Sequence, residues 1–158
     1  MTLCLLASGP EDYPLLNGAT WRGYMLPPGG LESPEVLTML VGWSARLQAA
    51  QGWGSWLAVE GGEVVASLAI KNPATEGTVE IGYAVAPQRR GRGIATRAVM
   101  ALMPVLVRHD VALVRAETAV ANLASGRVLA KAGFHWHADA ISDDDGPVIL
   151  WQRDLRPA

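Results

Sequence analysis

The sequence predicts an α+β domain with a mixed, mostly antiparallel sheet and helices on both faces. Two observations predict it. Residues 55–60 and 63–70 are apolar, strand-like runs joined by Gly61-Gly62, a two-residue hairpin signal, and a third run at 78–85 extends them into a meander. The pattern then changes to an Arg- and Gly-rich stretch at 87–93, a helical period at 94–109 and a short β-branched run at 111–117. Strand, loop, helix, strand is a crossover unit, which is right-handed by rule, with its two strands parallel or splayed.

Each element has its own signal. Residues 2–6 form an apolar run ending at Gly9-Pro10 and read as a first strand, and residues 11–24 read as one short helix. Pro27-Pro28-Gly29-Gly30 is a break. Ser33-Pro34-Glu35 starts a helix: Ser33 caps it, Pro34 suits the first helical position, and Glu35 sits at the positive dipole end. Leu37, Leu40, Val41, Ser44 and Leu47 recur at helical spacing, and Gly52 ends the helix. Asn72-Pro73 interrupts the meander. Within 94–109, Ile94, Ala98, Leu102, Val105 and Leu106 share one face, while Pro104 is expected to kink the helix or end it early. Asn122 caps a helix over 123–132, closed by Gly133. Strands at 134–140 and 147–153 flank the turn Asp143-Asp144-Asp145-Gly146.

The chain's 158 residues suit one domain, 1–158, and with half of them hydrophobic it can build a core without metal or disulfide. A formal charge of -2 gives no reason to bind nucleic acid or a membrane surface. Cys4 is the only cysteine, so no internal disulfide forms, and a reduced, cytoplasmic setting is the natural expectation. Residues 1–9 are apolar but short and lack a basic flank, so they are not read as a signal peptide. No apolar run reaches the ~20 residues that cross a bilayer.

The strongest chemical signal is Gln88-Arg89-Arg90-Gly91-Arg92-Gly93-Ile94-Ala95, between a strand and a helix. A helix start leaves its first N–H groups unpaired at the positive end of the macrodipole, a ready phosphate site. Gly91 and Gly93 permit positive φ, and the arginines add fork-shaped donors. A solvated turn with incidental arginines is the bland alternative. The Gly-x-x-x-x-Gly-Lys-Ser/Thr phosphate loop is absent. The dinucleotide fingerprint is incomplete, because Thr96 holds its last position and the loop follows a meander. A mononucleotide site remains a third possibility.

Gln88-x-x-Gly91-x-Gly93-Ile94-Ala95 resembles the loop with which the GNAT superfamily of N-acetyltransferases cradles the coenzyme A pyrophosphate. Val79-Glu80-Ile81-Gly82-Tyr83-Ala84-Val85 resembles that family's central strand. Asn122-x-x-Ser125-x-Arg127-Val128-Leu129-x-Lys131-x-Gly133-Phe134 resembles the motif typical of its ribosomal-protein-acetylating (Rim-type) branch. Three motifs in register are far more specific than one. The resemblance implies a GNAT fold of about six to seven strands with splayed central parallel strands, acetyl-CoA as co-substrate and no metal. It implies transfer of acetyl to a primary amine, on a protein N-terminus or a small molecule, by a monomer or homodimer. A non-catalytic CoA-binding regulatory module is the alternative.

Residue by residue, the resemblance places coenzyme on Arg89, Arg90, Arg92 and the rest of the loop. It also places it on the backbone of Tyr83, Ala84 and Val85, with the Val85 N–H polarising the thioester carbonyl. Glu80 is either a surface charge or the group that takes the proton from the incoming ammonium, directly or through water. By strand alternation Glu80, Gly82 and Ala84 face one side, and Ile81, Tyr83 and Val85 the other. Asn122 and Ser125 read locally as a cap and a first-turn residue, and the resemblance adds a coenzyme contact for Asn122. Many relatives carry a Tyr acid where this chain has Leu129, which makes Ser125 the candidate proton donor to the leaving thiolate. His135 and His137 share a strand face without a third ligand, and Asp143–Asp145 lack calcium-loop spacing. The six tryptophans, Trp43, Trp53 and Trp56 among them, are expected mostly in the core or in the wall of an acceptor pocket shaped by residues 16–51.

Overall fold

The computed structural model describes residues 2–157; Met1 and Ala158, the ends of the expected 1–158 domain, lie outside the described residues. The strands are β1 (Cys4–Ala7), β2 (Thr20–Trp21), β3 (Tyr24–Met25), β4 (Ser55–Glu60), β5 (Glu63–Ile70), β6 (Thr78–Val85), β7 (Leu113–Ala119), β8 (His135–Ser142) and β9 (Gly146–Asp154). The helices are α1 (Pro34–Gln51), α2 (Ile94–Arg108) and α3 (Leu123–Lys131). The sheet runs β1-β4-β5-β6-β7-β9-β8, with β3 on β5 and β2 on β3. Among the described residues only β6–β7 and the single β3–β5 pairing are parallel.

β4 and β5 are buried along almost their whole length, which is why they read as unbroken apolar runs rather than as alternating ones. Helices cover both faces. On one, Ile94, Ala98, Leu102 and Leu106 of α2 and Leu129 of α3 pack on Val79, Ile81 and Val114. On the other, Leu37 and Leu40 of α1 pack with Tyr13, Leu16, Trp21 and Leu31 over Leu57, Val59 and Val64. No helix among the described residues is long and apolar enough to cross a membrane.

Local rules account for most boundaries. Ser33 caps α1 by accepting from the Val36 N–H at 3.3 Å, and Gly52 closes it in the left-handed conformation. Residues 11–24 hold no α-helix but a 3₁₀ turn (Tyr13–Leu15) and the β2–β3 hairpin. Asp12 precedes that turn without capping it, because its carboxylate accepts from the Gly9 N–H at 2.7 Å and from Trp21 Nε1 at 3.0 Å. Pro104 does not end α2, which runs four residues further. Pro104 lies on the exposed face, and the Met100 carbonyl it leaves without an N–H belongs to a residue 50% exposed, on the solvent side of the helix where the loss of one bond is cheapest. Trp136 is neither core nor pocket wall under α1, being 60% exposed on β8.

Candidate active site

The site begins where two strands part. β6 and β7 pair only from Thr78 to Glu80, against Leu113 to Arg115. Beyond Glu80, β6 pairs among the described residues with β5 alone, through Ile81↔Ile70 to Val85↔Ala66. The direction of the freed backbone follows from alternation. The Glu80 carbonyl accepts from the Lys71 N–H at 2.8 Å, and the Ala86 N–H donates to the Val65 carbonyl at 2.8 Å. Even-numbered residues therefore bond toward β5, and Ile81, Tyr83 and Val85 turn their N–H groups toward the gap.

One wall of the gap is the start of α2. Gly93 occupies the cap position with φ 72°, and no side chain caps the helix. The Arg97 N–H bonds the Gly93 carbonyl at 3.1 Å, so the N–H groups of Ile94, Ala95 and Thr96 precede the first helical bond and are available to an anion. Gly91 is left-handed too, at φ 79°. A Cβ at either glycine would meet no protein atom within 4 Å, so conformation and the space beside the chain, not crowding, call for glycine here.

The facing wall is α3, where Asn122 accepts from the Ser125 N–H at 3.2 Å as the expected cap. Between the walls lies a cleft of about 650 Å³, within the range of small-ligand sites. Of the sequence candidates it gathers Tyr83, Ala84, Val85, Arg89, Arg90, Gly91, Gly93, Ile94, Ala95, Asn122 and Ser125. Gln88 and Arg92 do not line it. The Arg89 guanidinium is engaged elsewhere, donating to both Glu63 oxygens at 2.7 and 2.8 Å, and Arg89 in turn holds the Glu63 carboxyl below the usual Glu range. Arg127 and Lys131, one helical turn apart on α3 and named from sequence only as part of the 122–134 motif, also line the cleft. Their i, i+4 spacing on the Asn122 side was the available signal. The cleft is thus basic in a chain of net charge -2.

Tyr83 reaches across to α3. Its hydroxyl lies 2.7 Å from the Ser125 hydroxyl, a contact in which either oxygen can donate, and 3.4 Å from the Ser125 carbonyl, a longer alternative acceptor for the same hydrogen. Burial raises the Tyr83 phenol above its ordinary value, outweighing the opposing effect of the Ser125 hydrogen bond.

A second, smaller pocket of about 200 Å³ opens on the opposite face of β6, under α1. Val36, Met39, Leu40 and Trp43 of α1 supply its apolar walls, and Glu32 and Lys71 supply its charges. Tyr83 and Ala84 line both pockets and form the partition between them. Glu80 stands beside this pocket rather than in its lining, with its carboxylate 2.9 Å from Lys71 Nζ. Glu32 was not anticipated, since nothing in a lone Glu after a Pro-Gly break marks a pocket. Among the described residues no three His, Cys, Asp or Glu side chains cluster as a metal site would require.

The family model for an acetyltransferase (GNAT) domain matches residues 3–135. No curated protein matches the sequence. Solved structures match over nearly the whole chain. AAC(6')-Ib in complex with ribostamycin and coenzyme A is 20% identical with a TM-score of 0.70, over 98% of this chain and 94% of that one. The ribosomal L7/L12 alpha-N-protein acetyltransferase RimL, in complex with coenzyme A, is 22% identical with a TM-score of 0.72, over 97% and 94%. A SpeG spermidine N-acetyltransferase chimera from Vibrio cholerae and hSSAT is 14% identical with a TM-score of 0.72, over 97% and 95%. At these identities the likeness is one of fold.

Proposed function

The chain belongs to the GNAT acetyltransferase family, and from that premise we propose that it transfers acetyl from acetyl-CoA to a primary amine by direct attack. The observation that carries this reading is the shared partition. A basic cleft suited to a phosphate-bearing donor and an apolar pocket on the far face of β6 meet at Tyr83 and Ala84. A direct transfer needs donor and acceptor sites that open onto one another, and a module that only binds CoA has no use for the second. The neighbours crystallised with coenzyme A support the choice of donor. The 122–134 motif favours a place near the Rim-type branch.

The pyrophosphate is assigned to the N–H groups at the start of α2, with Arg90, Arg127 and Lys131 balancing the anion. The thioester carbonyl is assigned to the N–H groups of Tyr83 and Val85, which stabilise the oxyanion. An alkylammonium, reference pKa ~10.4, must lose a proton before attack. Glu32 is the one carboxylate in the acceptor pocket and holds the ammonium there, while Glu80, beyond Lys71, receives the proton through water.

The pocket also favours an acceptor class. Its walls are apolar and its two charges oppose one another, so it suits a primary amine bearing one apolar group, such as a peptide N-terminus, and not a polycation. A screen with labelled acetyl-CoA against apolar N-terminal peptides, aralkylamines, spermidine and aminoglycosides tests this. Turnover restricted to polycations overturns the acceptor class, and no turnover with any amine overturns the transferase reading. Glu80→Gln is expected to lower kcat at neutral pH by ~100-fold and to lose less at high pH, where more amine is already free. An unchanged pH–rate profile returns Glu80 to a surface ion pair.

A further inference from the structure

We propose that the Tyr83 hydroxyl, acting through Ser125, delivers the proton that the departing CoA thiolate takes up. The inference rests on the acetyl-CoA reading above and concerns a side chain which that reading uses only for its backbone.

The geometry points to a relay. The two hydroxyl oxygens are 2.7 Å apart, and both side chains line the donor cleft. With Tyr83 donating to Ser125 Oγ, the hydrogen on Ser125 Oγ is left to point at a ligand, because a hydroxyl donates one hydrogen while it accepts others. Tyr83 also lines the acceptor pocket, while Ser125 lines the donor cleft, so the pair spans the partition at which nitrogen and sulfur exchange the acetyl carbon. Acid strength argues the same way. An alkanol is a far weaker acid than a phenol, whose reference pKa is ~10 against ~8.5 for a thiol. A serine alone is a poor proton source for a thiolate, and a serine backed by a phenol loses little as it gives its proton up. Burial raises the Tyr83 phenol above its ordinary value, so it holds its proton more firmly, and breaking of the C–S bond has to draw that proton toward sulfur.

The step balances. The amine nitrogen bonds the carbonyl carbon, and collapse of the tetrahedral intermediate breaks the C–S bond with the electron pair on sulfur. Sulfur takes the Ser125 hydrogen as Ser125 Oγ takes that of Tyr83. The nitrogen sheds its own proton to water on the acceptor side, the phenolate regains one from water in the cleft, and the hydroxide and hydronium so formed neutralise one another.

Tyr83→Phe keeps the ring and removes the relay. The expected result is a ~10- to 100-fold fall in kcat at neutral pH, at the low end of general-acid effects, with KM for acetyl-CoA within about twofold. Ser125→Ala should fall at least as far, Ser125→Thr should recover most of the rate, and Tyr83→Phe/Ser125→Ala should be no slower than Ser125→Ala. A second measurement needs no acceptor: ultraviolet titration of the thiol of bound CoA. The hydroxyl pair should lower that thiol's pKa in the wild type, and Tyr83→Phe should raise it again. If the wild type acetylates no amine, the transferase reading falls alone and the titration decides the relay. A titration unchanged by Tyr83→Phe, or additive kcat losses in the double variant, overturns it.

Discussion

The loop between β6 and α2, which borders the basic cleft, and the segment from Gly9 to Glu32, which gives Tyr13 and Glu32 to the second pocket, are held by different forces. The loop takes its shape from local rules: two left-handed glycines, a helix start without a side-chain cap, and a strand that loses its partner after Glu80. The segment has little regular structure, only a 3₁₀ turn and two strands of two residues. Its order comes from burial of Tyr13, Leu16, Trp21 and Leu31 and from one buried carboxylate, Asp12. A site made of backbone directions tolerates side-chain drift, whereas one made of side-chain contacts does not. Acetyl-CoA handling should therefore fail through the loop's conformation, and acceptor choice through packing.

The largest effect is expected where backbone and charge are attacked together. Gly93→Glu forces a left-handed φ on a side chain, which costs about 1–2 kcal/mol, and sets an anion at the helix start. With a charged hydrogen bond lost as well, at roughly 2 kcal/mol, the total of about 3–4 kcal/mol should lower acetyl-CoA affinity by a few hundredfold. Calorimetry reads this directly, and unchanged affinity would show that the α2 start is not the phosphate site.

The matching attack on the other region is Asp12→Ala. It leaves the Gly9 N–H and Trp21 Nε1 without acceptors in a buried place and strips Arg22 of its partner. Stability should drop by about 3 kcal/mol, since each orphaned buried donor costs roughly 1–3 kcal/mol. Chemical denaturation measures the loss. If the two regions are as separate as their construction suggests, acetyl-CoA affinity of the folded protein changes less than about threefold (under ~0.7 kcal/mol), while KM for the amine rises. Equal damage to both ligands would mean that the segment also supports the donor cleft.

The same contrast explains what the sequence discloses. The hairpin at Gly61-Gly62, the cap at Ser33, the loop glycines and the Asn122 cap are short-range signals, each legible within four residues. The parallel β6–β7 crossover follows from element order. Glu32, Lys71 and the walls of α1 come together only through the folded sheet, so neither the acceptor pocket nor the Tyr83–Ser125 contact, 42 residues apart in the chain, has a local signature. The segment at 11–24 is ambiguous in sequence, and the 3₁₀ turn and hairpin it forms are tied together through Asp12 by the Gly9 N–H and by Trp21, a contact nine residues away that no local rule weighs.

Asn122 tests whether a local signal also does chemistry. Asn122→Ala should cost about 1 kcal/mol in stability as the loss of a cap. Its place in the cleft predicts a further loss in acetyl-CoA affinity of about fivefold, or ~1 kcal/mol. A melting shift without an affinity change leaves Asn122 a cap alone.

The smallest effect is expected at the bond that joins the two regions. Arg89 belongs to the loop, and its partner Glu63 opens β5 opposite Met25 of β3, at the edge of the segment. Both Arg89 nitrogens that face Glu63 are committed to it, so Arg89 has little left for a phosphate, whereas Arg90 is exposed on the cleft. Arg89→Ala should weaken acetyl-CoA binding less than about twofold, and Arg90→Ala about five- to tenfold, near the ~1 kcal/mol or more of a charged hydrogen bond. The stability cost of Arg89→Ala should be under ~1 kcal/mol, because the pair is partly solvated. Its pH dependence has a definite sign. Arg89 holds the folded-state value of Glu63 below that of the unfolded chain, so the contribution is present above the usual carboxylate range and is lost as pH falls through the lowered value. Stability curves of wild type and Arg89→Ala should therefore be separated at pH 7 and converge in acid. Curves that stay parallel to low pH would mean that Arg89 acts by packing. A tenfold loss of acetyl-CoA affinity in Arg89→Ala would mean that its fork leaves Glu63 for the ligand, coupling the two regions when the donor binds.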